Sequence, residues 1–152
     1  MTQDKESGAF RKAIEKIPDI SSGYCKGLQA MGSNSKYVKA EDSRCLSGSV
    51  DIDNCTKRLY PNDSRWDYVI GYDEKAYFVE VHPADAGNVD EMIKKAEWLK
   101  SWLNKHSSEL VKIEAMYWIP SGRTNIPKTS KRYRLIAKNN LIIMKSLKLP
   151  IR

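Results

Sequence analysis

Arg65-Trp66-Asp67-Tyr68-Val69-Ile70-Gly71-Tyr72, followed after Asp73-Glu74-Lys75 by Ala76-Tyr77-Phe78-Val79-Glu80-Val81-His82, is the stretch on which the rest of the sequence turns. Each half is rich in aromatic and β-branched residues, which suit a pleated sheet, and the linker between them has turn composition. The pattern predicts a tight β-hairpin with strands at 66–72 and 76–82. Side chains alternate faces along a strand, so Glu80 and His82 share one face while Val79 and Val81 share the other. Asp67 opens the first strand and Glu80 lies near the end of its antiparallel partner. The two carboxylates should therefore converge at one end of the sheet.

Outward from the hairpin, Ser49, Asp51 and Asp53 alternate with Val50 and Ile52, which predicts a strand over 48–53 with both aspartates on one face. A loop at 57–64, containing Tyr60-Pro61-Asn62-Asp63, should join it to the hairpin. Towards the N-terminus, Phe10, Ala13, Ile14 and Ile17 recur at helical spacing, and Pro18 stops a helix read over 4–17. Residues 24–31 read as a short second helix, and 33–48 carry no clear pattern. Beyond the hairpin, Val89, Met92, Ile93, Ala96, Leu99 and Leu103 form the apolar stripe of a long helix at about 88–105. Asn88 and Glu91 have the spacing of a capping box. On this reading Lys94, Lys95 and Lys100 project away from the stripe, and Trp98 and Trp102 widen it as packing residues. A strand at 113–119, a loop at 123–129, a basic helix at 131–139 with Tyr133, Leu135 and Ile136 inward, and a last strand at 141–148 complete the chain. A crossover helix between strands implies parallel neighbours, so the sheet should be mixed.

Composition narrows the functional classes. At 152 residues and 41% hydrophobic, the chain is long enough for a core of its own and is read as a single domain over 1–152. It has no run of about 18 apolar residues, which excludes a transmembrane helix, and its polar N-terminus lacks a signal-peptide pattern. A cytoplasmic location is the resulting expectation. Cys25, Cys45 and Cys55 are odd in number and form no Cys-x-x-Cys pair, so neither a disulfide framework nor a zinc knuckle is indicated. No phosphate-binding Gly-x-x-x-x-Gly-Lys-Ser/Thr loop, dinucleotide Gly-x-Gly-x-x-Gly motif or Gly-x-Ser-x-Gly elbow is present. The net charge is +7, and residues 110–152 carry ten Lys/Arg against the single Glu114. Basicity concentrated in one segment suits a polyanionic partner, nucleic acid above all; a solvated tail is the plainer alternative.

The order αβββαβαβ, with Asp67 at the second core strand and Glu80-Val81-His82 inside the hydrophobic run of the third, resembles the PD-(D/E)XK nuclease superfamily, the restriction endonuclease-like fold. The resemblance implies an α/β domain with a central mixed sheet of about five strands flanked by helices. It implies a metal-dependent phosphodiesterase acting on DNA or RNA, with Asp67 and Glu80 as metal ligands. A glutamate of the first helix often completes such sites, and Glu15, or else Glu6, stands there. His82 occupies the place of the family's lysine, which is thought to orient the attacking water and steady the developing charge. Histidine could act as a base or join the metal shell. A lysine from the following helix, Lys94 or Lys95, could instead reach in. Alternatively the site is inert, and the fold serves as a nucleic-acid-binding or protein-interaction module, such as a toxin–antitoxin or defence-system component.

Mg²⁺ prefers oxygen ligands, one or two carboxylates with several waters, whereas an imidazole in the shell would suit Mn²⁺. Arg123, Lys128, Lys131, Arg132 and Arg134 are the expected phosphate contacts. A homodimer is an assembly known for small nucleases of this fold. Asp51 and Asp53 read as a solvated strand face, and His106 as a complement to the helix dipole.

Overall fold

The computed structural model describes residues 8–106, 113, 115–122 and 126–151. Glu6, Glu114 and Arg123 lie outside these residues, as does the start of the helix read over 4–17.

Helix α1 (Ala9–Glu15) is followed by a 3₁₀ segment (Gln29–Tyr37) kinked at Gly32 and a short strand β1 (Val38–Ala40). Then come β2 (Leu46–Asp51), a one-turn helix α2 (Ile52–Thr56), β3 (Tyr68–Tyr72) and β4 (Lys75–Val81). The long helix α3 (Val89–His106), β5 (Met116–Ile119), α4 (Lys131–Lys138), β6 (Leu141–Ile143) and β7 (Leu147–Leu149) complete the order. The main sheet runs β2-β3-β4-β5-β6. It is mixed: β3 is antiparallel to β2 and β4, while β4, β5 and β6 run parallel. The parallel pairs follow from α3 and α4, which carry the chain back so that each next strand starts at the same end.

Each face of this sheet is covered. Phe10 and Ile14 of α1 with Ile17 just after it, Met92, Ala96, Leu99 and Leu103 of α3, and Ile136 of α4 pack with Val69, Phe78 and Trp118 on one face. Met31, Val38, Leu147 and Leu149 pack with Ile70, Val79, Tyr117 and Ile119 on the other. No helix among the described residues is long and apolar enough to cross a membrane.

The hairpin closes through two residues in left-handed conformation, Asp73 (φ 54°) and Glu74 (φ 63°). That geometry matches the twist of the flanking strands but costs residues with a Cβ about 1–2 kcal/mol each. The cost is offset locally. Glu74 Oε1 accepts from the Phe10 backbone N–H at 2.8 Å, Glu74 N–H donates to Ser47 Oγ at 2.8 Å, and Asp73 N–H donates to the Cys45 carbonyl at 2.7 Å. The turn thereby ties α1 and β2 to the hairpin.

Four expectations from the sequence are corrected. The strand read over 48–53 ends at Asp51, whose carboxylate accepts from Asn54 N–H (2.9 Å) and caps α2. Asp51 and Asp53 therefore do not share a strand face. The segment 24–31, read as a short helix, is irregular up to Leu28, with Cys25 bridged to Ser49, and turns 3₁₀ only from Gln29. The strand read over 141–148 divides at Met144-Lys145-Ser146: β6 joins the main sheet and β7 pairs in parallel with β1. Leu135 is 40% exposed rather than inward, while Ile136 is buried.

Gly71 lets α1 approach the sheet. A Cβ there would lie 2.6 Å from the Phe10 ring. Gly71→Ala is expected to destabilise the protein by about 1–3 kcal/mol, the usual cost of overpacking a filled site. Chemical denaturation followed by circular dichroism measures this; an unchanged midpoint would contradict the packing described.

Candidate functional site: a buried carboxylate pair

Three backbone constraints fix Asp67. Its carbonyl accepts from Ile52 N–H (2.8 Å), its N–H donates to Glu80 Oε1 (2.9 Å), and its Oδ2 accepts from Val81 N–H (3.1 Å). Trp66, fully buried beside it, donates its indole N–H to the Tyr68 carbonyl (3.1 Å) and anchors the entry to β3. The β3–β4 register continues Tyr68↔Val79 outward and so sets Asp67 opposite Glu80. The convergence expected from the sequence is present.

Glu80 is only 1% exposed. An isolated buried carboxylate is costly unless a charge or donor meets it. The ammonium of Lys95 lies 2.9 Å from Glu80 Oε2 and donates to the Arg65 carbonyl at 2.8 Å. The approach to Oε2 is close but poorly aligned, a charge contact rather than a directed hydrogen bond. Oε2 is accordingly a buried oxygen with no hydrogen-bond partner. Lys95 does not project away from the α3 stripe: positions 92, 95, 96 and 99 share one helix face, and the lysine extends inward among them.

Burial, and then the neighbouring Asp67, push the Glu80 carboxyl well above its usual range, against the opposing pull of Lys95. Asp67 is also raised, first by burial and then by Asp53 and Asp51, against the pull of Lys95 and of the Val81 N–H. Burial draws the Lys95 ammonium down, but Glu80, Asp67 and Asp53 outweigh it, and the net direction is up. One ammonium thus serves several carboxylates. Both carboxyls are thereby held more readily protonated than in water, with Lys95 the cation that opposes the shift.

His82 continues β4 on the same face as Glu80. Its N–H donates to the Ile119 carbonyl (3.1 Å), and its own carbonyl accepts from Trp118 Nε1 (2.9 Å) and Ser121 N–H (3.3 Å). The imidazole Nδ1 stands 3.8 Å from Glu80 Oε2, and Nε2 lies 3.1 Å from Asn88 Oδ1. Asn88 is therefore not the capping residue expected for α3; its side chain is held between His82 and Asp85.

The other candidates are placed elsewhere. Glu15 lies half-exposed on α1 with its carboxylate towards Arg11 (3.4 Å), and is not among the groups contacting Asp67 or Glu80. Asp53 pairs with Arg65 at 2.7 Å. Lys128, Lys131, Arg132 and Arg134 are all exposed. They lie on the connection after β5 and at the start of α4, and that connection leaves from the strand ends that carry Glu80 and His82. His106 contacts Asp19 Oδ2 (3.1 Å), which also accepts from Tyr60 and Trp102.

Asp67 and Glu80 are the residues that could hold a cation. Among the described residues no group of three or more His, Cys, Asp and Glu is arranged to hold a metal. The donors do fit a hard divalent ion that keeps most of its water and takes one or two carboxylates; the buried Oε2, which has the Lys95 ammonium at 2.9 Å but no aligned hydrogen bond, is the observation that supports this fit. No family model, curated protein or solved structure matches the chain.

Lys95→Met removes the cation from a buried ion pair and is expected to cost about 3 kcal/mol at neutral pH. The sign with pH follows from Glu80. Its raised pKa means that acidification protonates it in the folded state, so the cost of losing Lys95 shrinks as pH falls. Urea denaturation of both proteins across the acid range measures this; a pH-independent difference would contradict the pairing.

Proposed function

We propose that this chain is a metal-dependent nuclease of the PD-(D/E)XK type. One observation carries the reading: Asp67 and Glu80 sit side by side at the ends of β3 and β4, with Glu80 Oε2 buried, without a hydrogen-bond partner, and 2.9 Å from an ammonium. The order of α1, β2, β3, β4, α3 and β5 and the mixed sheet support the same assignment.

A divalent ion bound here would polarise a phosphoryl oxygen and lower the pKa of water. Asp67 and Glu80 would hold that ion. Lys95, fixed by the Arg65 carbonyl, would steady the charge that develops on the phosphoryl oxygens, taking from α3 the role that the family's strand lysine has. His82 is 24% exposed at its side chain and could accept a proton from an attacking water. Lys128, Lys131, Arg132 and Arg134 would bind phosphates along the strand being cut, with salt-dependent affinity. DNA is the favoured substrate class, with RNA second.

A second reading, an inert nucleic-acid-binding or protein-interaction module, draws on the same contact: Lys95 already gives Glu80 Oε2 a positive neighbour. Calorimetry with Mg²⁺ and Mn²⁺ on the wild type, Asp67→Ala and Glu80→Gln, with cleavage assays on plasmid and single strands, separates the two. The nuclease reading expects both variants to lose ion binding and cleavage, and Lys95→Met to cut about a hundredfold more slowly. Absence of ion binding by the wild type would exclude the nuclease and leave the module.

A further inference from the structure

We propose that the open edge of β7 is a docking site for an extended segment of a protein partner in which apolar and acidic residues alternate. The segment adds to β7 as a further strand, on the sheet face opposite Glu80. This surface is separate from the carboxylate pair, and the inference does not rest on the nuclease reading.

The unpaired backbone follows from the register. In a parallel ladder only alternate residues of a strand bond to a given neighbour. β7 pairs with β1 as Val38↔Leu147, Lys39↔Lys148 and Ala40↔Leu149, and the Leu149 carbonyl accepts from Glu41 N–H at 2.8 Å. Leu147 and Leu149 therefore turn their backbone groups to β1, and Lys148 turns its N–H and C=O outward. No other strand pairs with β7 among the described residues, so these two groups are open to an added strand. Pro150 has no N–H to give, which ends such a ladder at Lys148.

The layer that β1 and β7 form also stops short of the sheet edge. Asp42, just after β1, donates its N–H to the Tyr72 hydroxyl (3.3 Å), which places β1 towards β3. β7 follows β6 directly after Met144-Lys145-Ser146, so its open edge faces the β6 side. There Ile142, in register with Tyr117, points to the face that β7 covers elsewhere, yet it is 43% exposed. A strand laid beside β7 would cover it.

The chemistry of this edge selects the occupant. A cavity of about 610 Å³ lies along it, lined by apolar Met144, Pro150 and Ile151 and by Lys145 and Lys148, with Glu41 as the acidic group. Lys148 is exposed between the buried Leu147 and Leu149. Side chains of an added strand alternate in the same way, apolar ones inward over Ile142 and acidic ones outward beside Lys148. Pairing this edge with that of a second copy would set Lys145 and Lys148 against their own counterparts, which disfavours a homodimer here. A nucleic acid would meet the lysines but leave the Lys148 backbone and Ile142 unmatched. Strand addition answers all three features at once, with backbone bonds for affinity and alternate side chains for specificity.

The test uses the full chain and a capped, labelled peptide of alternating Glu and Val. Amide hydrogen exchange by NMR should show the Lys148 N–H unprotected in the free protein and protected once the peptide is added. Fluorescence anisotropy should show Lys148→Glu and Ile142→Asp each weakening the peptide by about tenfold or more. Both side chains are exposed, and circular dichroism of the variants should be unchanged. A form of the peptide N-methylated at every residue, which cannot donate to β7, should also bind at least about tenfold more weakly. Equal binding of the methylated form, a Lys148 N–H already protected in the free protein, or no binding of the peptide by the wild type would each overturn the inference. Binding of a single-stranded oligonucleotide in place of the peptide, lost in Lys148→Glu, would assign the edge to nucleic acid and overturn it as well. None of these outcomes bears on the carboxylate pair, whose ion-binding and cleavage assays stand apart.

Discussion

Burying the Glu80 carboxylate in the middle layer of this sheet imposes the arrangement around it. The strand carrying it is otherwise apolar at Phe78 and Val79, and Glu80 is almost wholly removed from water. Such a group needs a cation, and Lys95 supplies one from the inner face of α3. It also needs donors, and the Asp67 backbone N–H is the only one aligned on it among the described residues. Asp67 brings a second carboxylate with it, so the arrangement that solves one electrostatic problem creates another. A fold selected for stability alone has a simpler solution, an apolar residue at position 80. The pair stands at a strand end where Asp67 and His82 remain partly exposed, and that placement is the physical ground for the proposal.

The topology then determines what surrounds the pair. An antiparallel hairpin puts Asp67 opposite Glu80, and the parallel crossovers put the exits of β4 and β5 at the same end. From there the chain continues to His82 and Asn88 after β4 and into the connection towards α4 after β5. Ligand sites in sheets with parallel strands commonly lie at such carboxyl ends.

Much of this was legible in the sequence, and the reasons for the remainder are specific. The hairpin and α3 follow from strong periodicity, so their registers and the shared face of Glu80 and His82 could be read directly. Lys95 was legible too, since its spacing from Met92 and Leu99 places it in the apolar stripe; the habit of assigning lysine to solvent hid it. Asp51 and Asn54 carry the signature of a helix cap, which competed with the alternation around Val50 and Ile52 and won. Asn88 fitted a capping box by spacing, but capping is a local bond, and its side chain is used instead by His82 from across the strand end. The division of 141–148 into two strands depends on pairing with Val38–Ala40, a contact that no local pattern announces.

¹³C NMR of the Glu80 side-chain carboxyl during a pH titration, with and without Mg²⁺, tests whether this buried carboxylate, already paired with Lys95, takes a divalent ion as well. A midpoint well above the usual glutamate range is expected in the metal-free protein, falling when Mg²⁺ is added, because the ion and the proton compete for the same oxygen. An ordinary midpoint that Mg²⁺ leaves unmoved would contradict it.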